Sequence, residues 1–227
     1  MIQRELVICL GRTGTGKTRL LHQETLRRIK DLHAAGVATL VIIHDTRLPR
    51  PGGWDASAIG YLAPERARYR TVADMLDAAQ DVDGETRHAS FVNAIYEDDP
   101  LALFAVANAR RESGRATLLV IDELDQTPER LVRSRPDHAS AYKCLHYGRV
   151  GPVDILATMR QPQRVDPAWL ALATKVHAFQ LTGDLQLARI KASGWPNAEQ
   201  LAAELPRLSP FHYLSIEPGG TTETHHE

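Results

Sequence analysis

Residues 11–18 read GRTGTGKT, and the five residues before them, Leu6 to Leu10 (LVICL), form an unbroken apolar run. No other feature constrains the fold as much. A short continuous apolar run is the pattern of a strand buried on both faces of a parallel sheet. The glycines at 11, 14 and 16 suit a loop whose backbone N–H groups turn inward, the geometry that cradles phosphate oxygens. The sequence then turns helical from about Lys17 to Ala35, with Leu21, Ile29 and Leu32 on one face and Gly36 as a stop. A helix starting at the loop aims its positive end at the same place. Strand, G-x-x-x-x-G-K-[ST] loop and helix, in that order, predict a phosphate-binding site made by Gly11, Arg12, Thr13, Gly14, Thr15, Gly16, Lys17 and Thr18.

Such a loop implies ATP as ligand and Mg²⁺ as cofactor. Lys17 is expected on the β- and γ-phosphates and the Thr18 hydroxyl on Mg²⁺. A second motif, Leu118 to Glu123 (LLVIDE), supplies what the loop lacks. Its apolar residues carry a strand through the sheet, and Asp122 then emerges at the strand's end to hold Mg²⁺ directly or through a water. Glu123 follows where ATP-hydrolysing enzymes keep a carboxylate to orient the attacking water. A third element is the strand from Val153 to Thr158 with the turn ATMRQP after it (Ala157 to Pro162). In hydrolytic enzymes with an additional central strand, a polar residue at its tip senses the γ-phosphate. Thr158, Arg160 and Gln161 are the candidates.

Strand candidates recur at Val37 to Ile43, near Tyr69 to Val72, and at Thr117 to Ile121, Val153 to Thr158, Lys175 to Gln180 and Phe211 to Ile216. Helical stretches lie between them, among them Ala73 to Gln80 and Leu101 to Glu112. Alternation of this kind predicts an α/β fold with a doubly wound, mainly parallel sheet flanked by helices, and the loop, the acidic pair and the additional central strand together resemble a P-loop NTPase of RecA-like (ASCE) type. Residues 1–217 are expected to form a single P-loop ATPase domain, and 218–227 a flexible C-terminal tail whose His225-His226 pair is a frayed end rather than a metal site.

With 227 residues, the chain can build one well-buried domain but hardly two. No apolar run is long enough to span a membrane, and the start lacks the pattern of a signal peptide, so direct membrane insertion is not expected. Two cysteines are too few for a disulfide framework, and Cys9 reads as a small core residue. A net charge of -1 gives no support for a nucleic-acid partner at the level of the whole chain. The charge is uneven, however. Arg47, Arg50, Arg66, Arg68 and Arg70 fall in one stretch, and Arg130, Arg133, Arg135, Lys143 and Arg149 in another. Both patterns fit solvated surface as well as a DNA-facing loop.

The succession IDELDQ, a charged helical stretch, HYGRVGPVDILATMRQPQRVDPAW and then KVHAFQLTGDLQLARI resembles the FtsK–HerA superfamily of DNA-pumping ATPases. The resemblance runs from Leu6 to about Ile216. Within that superfamily the chain is most similar to the genome-packaging ATPases of tectivirus-like, membrane-containing phages. It is also similar in pattern to Zot-like phage assembly ATPases, which typically carry a transmembrane segment. The turn ATMRQP departs from the family order, in which Gln directly follows Thr, so the sensor is either Gln161 or Thr158. By the resemblance, Arg149 stands where the family places an arginine finger supplied to a neighbouring subunit, with Arg160 as the alternative. A DNA-contacting surface role for Arg149 stays open. The resemblance further implies a homo-oligomeric, hexameric ring, double-stranded DNA gripped without regard to sequence, capsid vertex proteins as partners, and a place in the host cytoplasm or at the virion vertex. A P-loop small-molecule kinase is the competing enzyme class; it needs an Arg-rich lid, for which the run from Arg130 to Arg135 could be mistaken, and Glu123 and the ATMRQP turn argue against it. A nucleotide-dependent switch without catalysis is the third reading.

Overall fold

The computed structural model describes residues 3–37, 39–45, 66–69, 89–95, 100–147, 153–217 and 222–226. In chain order the elements are β1 (Leu6–Leu10), α1 (Lys17–Ala34), β2 (Thr39–Asp45), β3 (Arg66–Tyr69), β4 (Ala89–Ile95), α2 (Pro100–Glu112), β5 (Ala116–Ile121), α3 (Pro136–Tyr147), β6 (Val153–Met159), α4 (Ala168–Ala171), β7 (Lys175–Phe179), α5 (Asp184–Lys191), α6 (Ala198–Glu204), β8 (His212–Ile216) and β9 (Thr222–His226). The described strands make one sheet in the order β3-β4-β2-β5-β6-β1-β7-β8-β9. Every pairing from β3 to β7 is parallel, and β8 runs antiparallel to both its neighbours.

The apolar run of β1 is buried along its whole length because both faces of the sheet are covered. Leu6, Ile8 and Leu10 join a core built with Leu103 and Phe104 of α2, Ala141 and Leu145 of α3, Trp169, Ile190 and Leu201. Val7 and Cys9 point the other way and pack with Leu20, Leu21 and Ile29 of α1. This residue-by-residue alternation is what a doubly wound sheet requires. The fold class read from the sequence therefore holds. Cys9 is wholly buried, and burial pushes the Cys144 thiol up to about 12, so neither is poised for thiolate chemistry.

Boundaries shift by two or three residues. The second strand starts at Thr39 rather than Val37, and the third occupies Arg66–Tyr69 rather than Tyr69 to Val72. The helix read over Ala73 to Gln80 lies outside the described residues. Two elements differ in kind. Strand β4 (ASFVNAI) had no signal of its own, since Ser90 and Asn93 break the apolar run, yet it fills the place between β3 and β2. The C-terminal residues, expected to be a flexible tail, pair over Thr222–His226 with β8. The correction has a simple cause: an edge strand is held by backbone hydrogen bonds to its neighbour, which a polar sequence can make as well as an apolar one. Among the described residues, no helix is long and apolar enough to cross a membrane.

Candidate functional site

Strand β6 lies between β1 and β5, so the loop after β1 and the acidic pair after β5 are separated by one strand and open at the same, C-terminal edge of the sheet. Ligand sites of open parallel sheets form at this edge.

The loop is anchored at its start to both neighbouring strands. Gly11 N donates to Met159 O at the end of β6 (3.1 Å), and Arg12 N donates to Gln180 O just past β7 (3.1 Å). Gly11 has φ 152°, and a Cβ there would lie 2.6 Å from Phe179 Cβ, so only glycine fits between strand and loop. Gly14 (φ 80°) and Gly16 (φ 104°) also take positive φ and bend the backbone into its cradle. Thr15 Oγ1 donates to Arg12 O at 2.8 Å, closing the loop on itself. Lys17 is almost fully buried, and its Nζ donates to Arg12 O at 2.5 Å, which holds the ammonium across the loop. Arg12 and Thr13 are exposed on the rim.

Helix α1 carries Thr18 at its first turn and is braced from behind. Glu24 Oε1 lies 3.2 Å from His177 Nε2 on β7, and His177 Nδ1 lies 3.3 Å from Ser215 Oγ on β8. Burial would raise the Glu24 carboxyl, but hydrogen bonds with His177 and Arg27 outweigh it and bring the group down to about 2.

Asp122 is fully buried at the end of β5, where its N–H donates to His44 O (3.1 Å). Its Oδ1 accepts from Thr158 Oγ1 at 2.5 Å and lies 3.5 Å from Thr18 Oγ1. The same Thr158 hydroxyl accepts the N–H of Glu123 at 2.8 Å. Thr158 is thus spent as a clamp between β6 and the acidic pair rather than turned toward a ligand. Glu123 sits in the left-handed region (φ 67°, ψ 61°), which is strained for a residue with a side chain, and it starts the 3₁₀ turn Leu124–Gln126. Its carboxylate pairs with Arg160 of the same chain, Nη2 to Oε2 at 2.9 Å. Asp125 accepts the N–H of Arg160 at 2.9 Å, and Gln186 Nε2 donates to the Arg160 carbonyl at 2.8 Å. Neither Asp125 nor Gln186 stood out in the sequence. The acidic spacing in IDELD was the available signal for Asp125, and none marked Gln186.

Gln161 is half-buried at the head of the 3₁₀ turn Pro162–Arg164, and its Oε1 accepts from Arg164 Nη1 at 3.3 Å. Arg149 lies outside the described residues, as do Arg47, Arg50 and Arg70. Part of the second basic stretch is engaged at home: Arg133 lies over the Tyr147 ring (5.9 Å), Arg135 pairs with Asp137 (2.8 Å) and Lys143 with Glu112 (3.3 Å).

The donors match a small hard cation. Thr18 Oγ1 and the Asp122 carboxylate are oxygen ligands, and adjacent ligands of an octahedral Mg²⁺ with bonds of about 2.1 Å stand about 3 Å apart, close to the separation seen here. The chain's arrangement therefore suits a phosphate cradled by residues 11–18, a divalent cation between Thr18 and Asp122, and a carboxylate at Glu123 beside them.

No known protein-family model matches the chain, and no curated protein sequence matches it. Solved structures do. The genome packaging NTPase B204 from Sulfolobus turreted icosahedral virus 2, in complex with sulfate, superposes with a TM-score of 0.70 at 17% identity, covering 99% of this chain and 97% of that one. The same protein in complex with AMPPCP gives 0.67 at 17% identity, covering 99% and 98%. ATPases 2 and 3 of EccC from Thermomonospora curvata give 0.55 at 12% identity, over 98% of this chain and 36% of that one. The chain therefore has a P-loop NTPase fold, similar over nearly its whole length to that of a viral genome-packaging NTPase.

Proposed function

We propose that this chain is an ATP-hydrolysing DNA translocase, the motor that packages a double-stranded genome into a viral capsid. The observation that carries the reading is the junction of three strands. Thr158, on the strand inserted between β1 and β5, holds Asp122 and Glu123 at the mouth of the phosphate loop. A kinase needs no carboxylate to orient water, so a Glu123 held rigidly at this place favours hydrolysis. Likeness to a viral packaging NTPase supports the choice of motor within that class.

In this mechanism residues 11–18 wrap the triphosphate with backbone N–H groups, and Lys17 leaves Arg12 O to neutralise the β- and γ-phosphates. Thr18 and Asp122 would hold Mg²⁺, which supplies charge neutralisation along the phosphate chain. Glu123 accepts a hydrogen bond from water and aims it in line with the γ-phosphorus. Arg149 of an adjacent subunit completes the site. Gln161 remains the candidate sensor once Thr158 is committed to its clamp. Ring assembly of six subunits, DNA gripped through its phosphates by the basic stretches, and capsid vertex proteins as partners complete the proposal.

The test is the ATPase rate with and without long double-stranded DNA. Wild type should be stimulated, and Lys17→Ala and Glu123→Gln should be inactive. Arg149→Ala should recover when mixed with Lys17→Ala chains that supply the arginine. Hydrolysis indifferent to DNA, with phosphate passed instead to a small acceptor, would replace the motor by a kinase.

A further inference from the structure

The turn that joins α6 to β8, residues 205–211 (LPRLSPF), lies against the rim of the phosphate loop. Gln180, just past β7, is the link. Its carbonyl accepts the Arg12 N–H of the loop (3.1 Å), its Oε1 accepts from Arg12 Nη1 (3.1 Å), and its Nε2 donates to Pro206 O (3.2 Å). Leu181 N adds a longer bond to Leu205 O (3.4 Å). The turn ends on Phe211, which opposes Leu181 when the β7–β8 register is carried on by two residues. Because β8 runs antiparallel, this end of it lies at the same sheet edge as the loop. Phe211 has φ 64° and is 46% exposed. A large apolar side chain left in water, on a backbone held in the left-handed region, is unfavourable on both counts. Tyr213, two residues on, packs on Phe179 (5.1 Å), the residue that closes over Gly11.

The orientation of a bound nucleotide follows from the residues already placed. Asp122 and Glu123 lie on the β5–β6 side of the loop, with Thr18 beside Asp122, so the γ-phosphate points that way. The α-phosphate and the nucleoside must then leave on the other side, over β7 and β8. We infer that Phe211 and the turn before it form a stacking platform for the nucleoside base, one that holds the flat face of the base and does not read its edge. The inference rests on the reading of residues 11–18 as a phosphate loop, and not on any coupling to DNA. The chemistry of the turn is that of a face. Pro206 and Pro210 carry no N–H, and the carbonyls of Leu205, Pro206, Ser209 and Pro210 already accept hydrogen bonds. Their donors are Leu181 N and Leu208 N, Gln180 Nε2, His212 N and the His212 ring, respectively. Every base has a π-face, so an apolar platform with its polar groups committed holds adenine and guanine alike. The substrate class is then nucleoside triphosphates with little selection of the base.

Titration of the full chain with ADP, GDP and inorganic triphosphate tests this, in wild type, Phe211→Ala, Phe211→Trp and Lys17→Ala. Phe211→Ala should weaken ADP and GDP about tenfold each and leave inorganic triphosphate unchanged, because the lost contact belongs to the base alone. Unchanged triphosphate binding also shows that the variant is folded. Phe211→Trp should restore ADP affinity, and its added indole fluorescence, measured against wild type, should be quenched by ADP and not by triphosphate. In wild type, ADP and GDP should bind within about threefold of each other. Equal loss of ADP and triphosphate in Phe211→Ala, an unchanged ADP affinity, or an added indole blind to ADP would overturn the platform. A wild-type preference of about a hundredfold for one base would also overturn it, since that needs contacts to the base edge. If Phe211→Ala leaves ADP bound and instead dissociates an oligomer, Phe211 is a subunit contact and the platform falls. Lys17→Ala separates this inference from the reading beneath it. Loss of all three ligands in Lys17→Ala, with ADP indifferent to Phe211, removes the platform alone. Ligands bound equally well without Lys17 remove the phosphate loop and the platform together.

Discussion

Two residues, Gly11 and Thr158, hold the candidate site in shape, and each can be tested singly. Gly11 has room for no Cβ, because Phe179 Cβ would stand 2.6 Å away and Phe179 Cα 3.3 Å away, both on a buried strand that cannot retreat. Gly11→Ala should cost about 1–3 kcal/mol, the usual range for overpacking, read as a lower thermal midpoint, and should weaken nucleotide binding with it. Thr158 serves both Asp122 and Glu123 through one hydroxyl. Thr158→Val keeps the shape but removes a donor and an acceptor in a buried place, and should cost about 1–3 kcal/mol in urea unfolding. Because it also loosens the cation and water sites, kcat should fall about 10- to 100-fold. A kcat unchanged in Thr158→Val would mean that the clamp does not support catalysis.

Among the elements, α1 matters most, since it presents both Lys17 and Thr18. It is tied to β7 and β8 through Glu24, His177 and Ser215, and to the start of β6 through Arg28, which pairs with Asp154 at 2.9 Å. The Glu24 carboxyl falls from an ordinary 4.5 to about 2 in the folded chain, so in that interval the unfolded state binds more protons. The contribution is complete above about pH 4.5 and is lost as pH drops toward 2. Glu24→Gln should therefore flatten the dependence of stability on pH in that window, measured as urea midpoints at stepped pH. A profile parallel to wild type would show that the Glu24 brace does not hold α1. At the far side of the sheet, β9 covers the edge of β8, and the Tyr213 ring stacks on His225 (5.1 Å). Truncation after Glu217 should bare that edge and lower the thermal midpoint, while leaving the loop's own hydrogen bonds intact.

At the scale of the whole molecule, one edge of the sheet gathers the site. The loop, the acidic pair and the turn after β6 come from residues far apart in the chain and meet at one edge. Removal of divalent cations with EDTA should abolish ATP hydrolysis, and Mg²⁺ should restore it, if Thr18 and Asp122 are the oxygen donors they resemble. If the motor grips DNA through phosphates, the stimulation by DNA should fall steeply between low and moderate salt, and should not depend on DNA sequence. Stimulation that survives high salt would argue for a different grip. With a net charge of -1, such a grip must come from local basic stretches and not from the charge of the chain.

The sequence alone determined the phosphate loop, the acidic pair and the parallel α/β fold, because each rests on local information. Glycine positions dictate loop geometry, and an unbroken apolar run such as LVICL or LLVI can be satisfied only where both faces are covered. The sequence also named Thr158 and Arg160 as interesting, but not what they touch. Strand β4 and the β9 edge escaped because Ser90 and Asn93 interrupt the one and TETHH is polar throughout, while both are held by backbone pairing, β4 with the distant β2 and β9 with the adjacent β8. The order of the sheet, with β6 between β1 and β5, was a tertiary decision, and the site's wiring follows from it. Thr158 clamps Asp122, and Arg160 holds Glu123, because burying both faces of the sheet sets the ends of β5 and β6 side by side.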